Sequence, residues 1–241
     1  MKAEAEKQQQ DYGLKTPDQG LYPKRYPPKK LNGIPTMVEE CHRMRLQIRA
    51  SEGNRKIKTL LFASATEAEG TTTVAINFAR TLATAGESVL LVDANLRSPS
   101  LHQAFNLEQR NGLSELFQVK KSLSDVIKKT IVANLSVITS GAPHPNPFSL
   151  FGADSIEPIV DMMKEQADWV LFDAPPVNAY NDSTSLAEKT DGVVLVVEAE
   201  KTRWEVAQKA RRQLEQCGVR ILGAVLNRRQ MRIPGWAYRM M

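Results

Sequence analysis

The chain has 241 residues and a formal net charge of +5; 42% of residues are hydrophobic and 24% charged, an ordinary globular composition that suits one sizeable domain with tails. Cys41 and Cys217 stand alone, and His42, His102 and His144 are far apart, so no disulfide framework, zinc site or local histidine dyad is suggested. No apolar run approaches the roughly 18 residues of a membrane span, the N-terminus MKAEAEKQQQ lacks a signal-peptide core, and so small a net charge gives no case for nucleic acid; a cytoplasmic protein is expected.

Residues 1–36 are polar, with Gln8 to Gln10, scattered prolines and Lys29–Lys30, and are expected to form a flexible tail carrying Tyr12, Tyr22 and Tyr26. Over 36–51, Met37, Cys41, Met44 and Ile48 recur at helical spacing and predict an amphipathic helix. A short basic connector, 54–58, leads to a predicted strand at 60–63. The next helix, 72–85, has Val74, Phe78 and Leu82 on one face and stops at Gly86. Strands follow at 89–92, 135–138, 169–172, 193–197 and 221–226, with helices around 156–163 and 203–216. These strands are continuous apolar runs, as in buried parallel sheets covered by helices on both faces. The β-α alternation predicts a single α/β domain over 37–227: a doubly wound, mainly parallel sheet.

Three strand ends carry the chemistry. After the first, ASATEAEGTTT (63–73) passes through a loop into a helix, whose unpaired N–H groups and positive dipole end suit a phosphate. A P-loop would place Gly-Lys-Ser/Thr here: glycine for the tight wrap, lysine for the outer phosphates, a hydroxyl for magnesium. Gly70 and Thr72 fit that pattern, but Thr71 stands at the lysine position and Ala68 where a glycine is usual. The second strand ends in Asp93, within VDANLRSP, and the strand at 169–172 ends in Asp173, within LFDAPP. Acidic residues at parallel-strand ends face the crevice where ligands bind.

From about Glu39 to Tyr238 the chain resembles the P-loop tyrosine kinase domain of bacterial capsule and exopolysaccharide systems, a relative of the chromosome-partitioning and septum-positioning ATPases. The resemblance lies in VLLVDANLRSPS (89–100), DWVLFDAPPV (168–177), TDGVVLVVEAEKTRWE (190–205) and LGAVLNR (222–228), in that order. It implies a P-loop NTPase-like fold binding ATP or ADP with Mg²⁺. Gly70, Thr71, Thr72 and Thr73 would face the phosphates, and Asn227 would sit near the base. Thr72, Asp93 and Asp173 would hold the metal, with Asp93 also placed to activate an acceptor. Glu39, His42 and Arg45 resemble a Glu-x-x-Arg-x-x-Arg helix that packs against a neighbouring subunit, which implies a homo-oligomer.

The departures from that pattern bear on activity. Thr71 replaces the lysine, Asn95 the second aspartate of an Asp-x-Asp pair, and His42 the middle arginine. Tyr238 stands alone where the kinases carry a tyrosine cluster. Losing one fixed charge in a closed phosphoryl-transfer site costs several kcal/mol, roughly 100-fold or more in rate. Lys56, Lys58 and Arg97 are the cations considered as substitutes. The expectation is a degenerate tyrosine-kinase-like protein, an accessory or regulatory subunit in exopolysaccharide synthesis or export. It would sit at the inner face of the membrane on a membrane-embedded chain-length or export protein. An active kinase or ATPase with a noncanonical loop, or a partitioning-type ATPase, are the alternatives. The basic, aromatic segment 228–241 suits a membrane interface or a partner groove.

Overall fold

The computed structural model describes residues 37–53, 56–118 and 121–229. The expected tail 1–36, with its three tyrosines, and the C-terminal segment after Arg229 lie outside the described residues. The sheet has seven strands, β1 Thr59–Ser64, β2 Val89–Asp93, β3 Lys128–Lys129, β4 Leu135–Ile138, β5 Trp169–Asp173, β6 Gly192–Glu198 and β7 Ile221–Asn227, in the order β3-β4-β2-β5-β1-β6-β7. All pairings are parallel except the antiparallel edge β3–β4.

The doubly wound arrangement follows from the pleat. Successive strand residues point to opposite faces, and here both faces are apolar. Leu60, Phe62, Leu91, Trp169, Leu171, Val194 and Val196 pack on one side with Val74, Phe78 and Leu82 of the helix α2, Thr71–Thr84. The first helix, α1 at Met37–Ala50, adds Cys41 and Ile48 to that layer. Leu61, Leu90, Val170, Phe172, Val193 and Leu195 pack on the other side. The short helices α3 (Leu101–Phe105), α4 (Leu113–Gln118), α5 (Leu123–Val126) and α6 (Pro147–Leu150) lie between β2 and α7 in the chain. The second face is covered by α7 (Ala153–Gln166), α8 (Asp182–Ala187) and α9 (Trp204–Gln216), through Ile156, Met163, Leu186, Ala210 and Leu214. Among the described residues no helix is long and apolar enough to cross a membrane.

One cluster fixes α1 to the N-terminal edge of the sheet. The Glu87 carboxylate accepts from Arg45 Nε (2.6 Å), Arg49 Nη2 (2.8 Å) and the Trp169 indole N–H, and Arg49 also lies over the Trp169 ring at 4.0 Å. Burial alone would raise the Glu87 pKa, but the bonds from Trp169 and Arg49 and the charge of Arg45 outweigh it and hold it below the usual value. Glu87→Ala strands two arginines and an indole N–H, and is expected to cost about 2–3 kcal/mol. Thermal unfolding checks this as a fall in Tm of roughly 5–10 °C. Because the folded pKa is lowered, the stabilisation is present above the unfolded value near 4.5 and is lost as pH falls below it.

Candidate functional site

The topology brings three functional segments to one edge. Strand β5 lies between β1 and β2, so the loop after β1, Asp93 at the end of β2 and Asp173 at the end of β5 are neighbours. Asp93 and Asp173 are directly paired in register. The loop leads into α2 through Gly70, at φ +89°, a backbone state that favours glycine. No side chain caps α2, so its first-turn N–H groups are left for water or an anion. Thr71 is buried at the helix start, and Thr72 and Thr73 are half-buried beside it.

Thr72 points into the acidic pair. Its Oγ1 donates to Asp173 Oδ2 at 2.6 Å and accepts from the Ser100 hydroxyl at 3.2 Å. Asp93 Oδ2 accepts the backbone N–H groups of Ser100 (3.1 Å) and Leu101 (3.0 Å). Both carboxylates are essentially sealed, at 0% and 1% exposure. Their remaining oxygens, Asp93 Oδ1 and Asp173 Oδ1, are buried without a hydrogen-bond partner. Burial pushes the Asp173 pKa up to about 7 against the lowering bond from Thr72. Burial, and then the neighbouring Asp173 charge, drive Asp93 well above the usual carboxylate range. Two orphaned carboxylate oxygens side by side are costly unless a proton or a cation joins them. Hard oxygen donors at this density, with a hydroxyl alongside, fit Mg²⁺, which takes one or two carboxylates and completes its shell with water and phosphate oxygens.

The three cations considered as lysine substitutes do not reach the loop. Lys56 and Lys58 precede β1, and six strand residues, roughly 20 Å, separate its two ends. Lys58 Nζ donates to the Lys164 carbonyl at 3.1 Å. Arg97 is turned to Asp182 (2.7 Å and 3.2 Å) and stacks on Tyr180 at 4.2 Å. Asn95 accepts the Ser98 N–H at 3.1 Å and so closes the turn after β2. Asn227 is buried against the loop and donates to the Glu69 carbonyl at 2.8 Å. Ala68 adopts φ +62° at the position where the pattern has glycine, a conformation that costs an alanine about 1–2 kcal/mol. After the entropy of the more flexible unfolded chain is subtracted, Ala68→Gly is expected to stabilise by about 0.5 kcal/mol, read in chemical denaturation.

On α1, Glu39 and His42 are exposed, whereas Arg45 is half-buried and bound to Glu87. Ser100 and Asp182 escaped the sequence reading. Ser100 follows a proline in a segment with no periodic signal, and the Asp182 partner, Arg97, is 85 residues away in the chain.

Residues 63–217 match the AAA domain family. The chain is 36% identical over 193 residues to a putative tyrosine-protein kinase, CapB, of Staphylococcus aureus, covering 80% of this chain and 85% of that one. It is 35% identical over 204 residues to the tyrosine-protein kinase YwqD of Bacillus subtilis, covering 85% and 84%. Among solved structures, the chimerical protein CapA2B2 superposes with a TM-score of 0.76 at 31% identity, covering 80% of this chain and 85% of that chain. The septum site-determining protein MinD of Pyrococcus horikoshii, complexed with Mg-ADP, shares the fold with a TM-score of 0.61 at 24% identity, covering 76% of each. The chain therefore belongs to the bacterial tyrosine-protein kinase family and carries its P-loop NTPase-like fold.

Proposed function

We propose that this protein is a family member with strongly reduced phosphoryl transfer that serves as an accessory or regulatory subunit of exopolysaccharide synthesis or export. The observation that carries this reading is Thr71 at the lysine position of an otherwise kinase-like crevice, with Lys56, Lys58 and Arg97 all committed or placed elsewhere. The remaining parts support nucleotide binding. The N–H groups at Gly70 to Thr73 would receive phosphate oxygens, and Asn227 would border the nucleotide from the end of β7. Thr72, Asp93 and Asp173 would hold Mg²⁺, which when bound neutralises phosphate charge. Asp93, tied by two backbone N–H groups, keeps one oxygen without a partner and would take a proton from a hydroxyl acceptor only after shedding its own.

The partner in this reading is a membrane-embedded chain-length or export protein, which keeps the chain at the inner face of the membrane. The exposed Glu39 and His42 on α1 would serve a homo-oligomer, with Arg45 holding the helix in place through Glu87. The observation favouring the second reading, an active kinase with a noncanonical loop, is the intact trio Thr72, Asp93 and Asp173. Incubation of the purified protein with ATP and Mg²⁺ separates the two. Negligible phosphotyrosine and ATP turnover is the expected result. Turnover comparable to that of an intact kinase, abolished by Asp93→Ala, contradicts it.

A further inference from the structure

The loop between β1 and α2 contains a buried carboxylate where the binding of anions is expected. Glu69 is 2% exposed. Its Oε2 accepts the Thr66 N–H at 2.8 Å, and its Oε1 accepts the Thr202 hydroxyl and, at 3.4 Å, the Glu198 N–H. Its charge is therefore spent on the loop's own backbone and on the end of β6, not turned toward a ligand.

The end of β7 closes the other half of this clasp. Asn227 Nδ2 donates to the Glu69 carbonyl at 2.8 Å, and Arg228 Nη1 donates to the Ala68 carbonyl at 2.9 Å and to Glu198 Oε2 at 3.0 Å. Two successive loop carbonyls are thus bound outward. In a phosphate-binding loop, carbonyls turned out leave the following N–H groups turned in. The fit is tight: a Cβ at Gly70 would lie 2.2 Å from Asn227 Nδ2. Arg228 itself holds φ +57°, a left-handed state uncommon for a non-glycine residue and a mark of a residue held by its surroundings.

We propose that Glu69 and Arg228 are positioning residues of the phosphate loop. They hold it from outside, through the ends of β6 and β7, in the shape that presents the Gly70 to Thr73 amides. In a loop without a lysine, those amides carry the phosphate interaction, so nucleotide affinity depends on the Arg228–Glu198 and Glu69–Thr202 pairs. The proposal rests on the reading of the crevice as a nucleotide site, but its first consequence, loop order, is independent of any ligand.

The test uses the full chain with Arg228→Ala, Arg228→Lys and Glu69→Gln. Amide hydrogen exchange is read over 66–74 without nucleotide, and Mg-ADP affinity by calorimetry. The Arg228 side chain is half-exposed, so Arg228→Ala is expected to leave global unfolding unchanged while exchange in the loop rises at least about tenfold. Mg-ADP affinity is expected to fall about tenfold in Arg228→Ala, and less than about threefold in Arg228→Lys, which keeps one donor for the Ala68 carbonyl. Glu69→Gln is expected to raise loop exchange similarly, and Arg228→Ala combined with Glu198→Ala to weaken binding no further than Arg228→Ala alone. Unchanged loop exchange in both Arg228→Ala and Glu69→Gln overturns the proposal. So does a loss of affinity without a rise in exchange, because Arg228 would then touch the ligand itself. Raised exchange in a wild-type background that binds no Mg-ADP supports the clasp and removes only the nucleotide reading.

Discussion

Asp173→Asn is expected to make the metal-free protein more stable at neutral pH and to abolish its stabilisation by Mg²⁺. In the unfolded chain this carboxyl titrates near 3.8, and in the fold near 7. Between those values the folded protein keeps a proton that the unfolded chain has shed. Folded-state proton binding exceeds that of the unfolded state, so stability falls as pH rises, by at most about 1.4 kcal/mol per pH unit for one proton. From Asp173 alone, the metal-free protein is therefore expected to lose a few kcal/mol between about pH 4 and pH 7. The neighbouring Asp93 is driven in the same direction, first by burial and then by Asp173 itself, so the two carboxyls titrate as a pair. Mg²⁺ bound in place of the proton would restore the lost stability, most strongly above pH 7. An amide at 173 carries no charge to bury. Thermal scans across this pH range, with and without excess Mg²⁺, should show a higher Tm for the metal-free variant and no Mg²⁺ response. A lower Tm for the metal-free variant would remove the case for a strained acidic pair.

Thr71→Lys is expected to raise phosphoryl transfer by roughly 100-fold or more. The residue begins α2 and is buried, with Thr72 bound to Asp173 directly after it. Thr72, Asp93 and Asp173 already meet at the crevice, so the charge of the lysine is what this substitution adds. Phosphoryl transfer draws nearly all its acceleration from positioning and charge stabilisation. ATP turnover and phosphotyrosine in wild type and Thr71→Lys, measured together, test this. A rise abolished by adding Asp93→Ala assigns it to this crevice, and no rise means that the other departures, Asn95 among them, are sufficient to silence the site.

Much of this was legible because the strands are apolar on both faces. Runs such as Leu60 to Ala63 and Val193 to Val197 announce buried parallel strands without any knowledge of their partners. The two aspartates were legible for the same reason, since each ends such a run. Their pairing was not. It depends on β5 inserting between β1 and β2, a sheet order that local pattern does not encode. The antiparallel β3 was missed because Lys128–Lys129 has no apolar content, and its pairing comes only from the facing Ser136 and Val137. The clasp on the loop was also hidden. Glu69 meets Thr202 across 133 residues, and a glutamate in a loop ordinarily faces solvent. Arg97 reads as a spare cation near the crevice, and its commitment to Asp182 rests on a contact between the turn after β2 and the start of α8, which the chain order keeps apart.

The most direct measurement is calorimetric titration of ADP with Mg²⁺ into wild type and Thr71→Lys. Measurable binding by wild type, tightened by roughly 10- to 100-fold by the lysine, is the predicted result. Equally tight binding by both would contradict it, because Thr71 would then not be the residue that separates this chain from an active kinase.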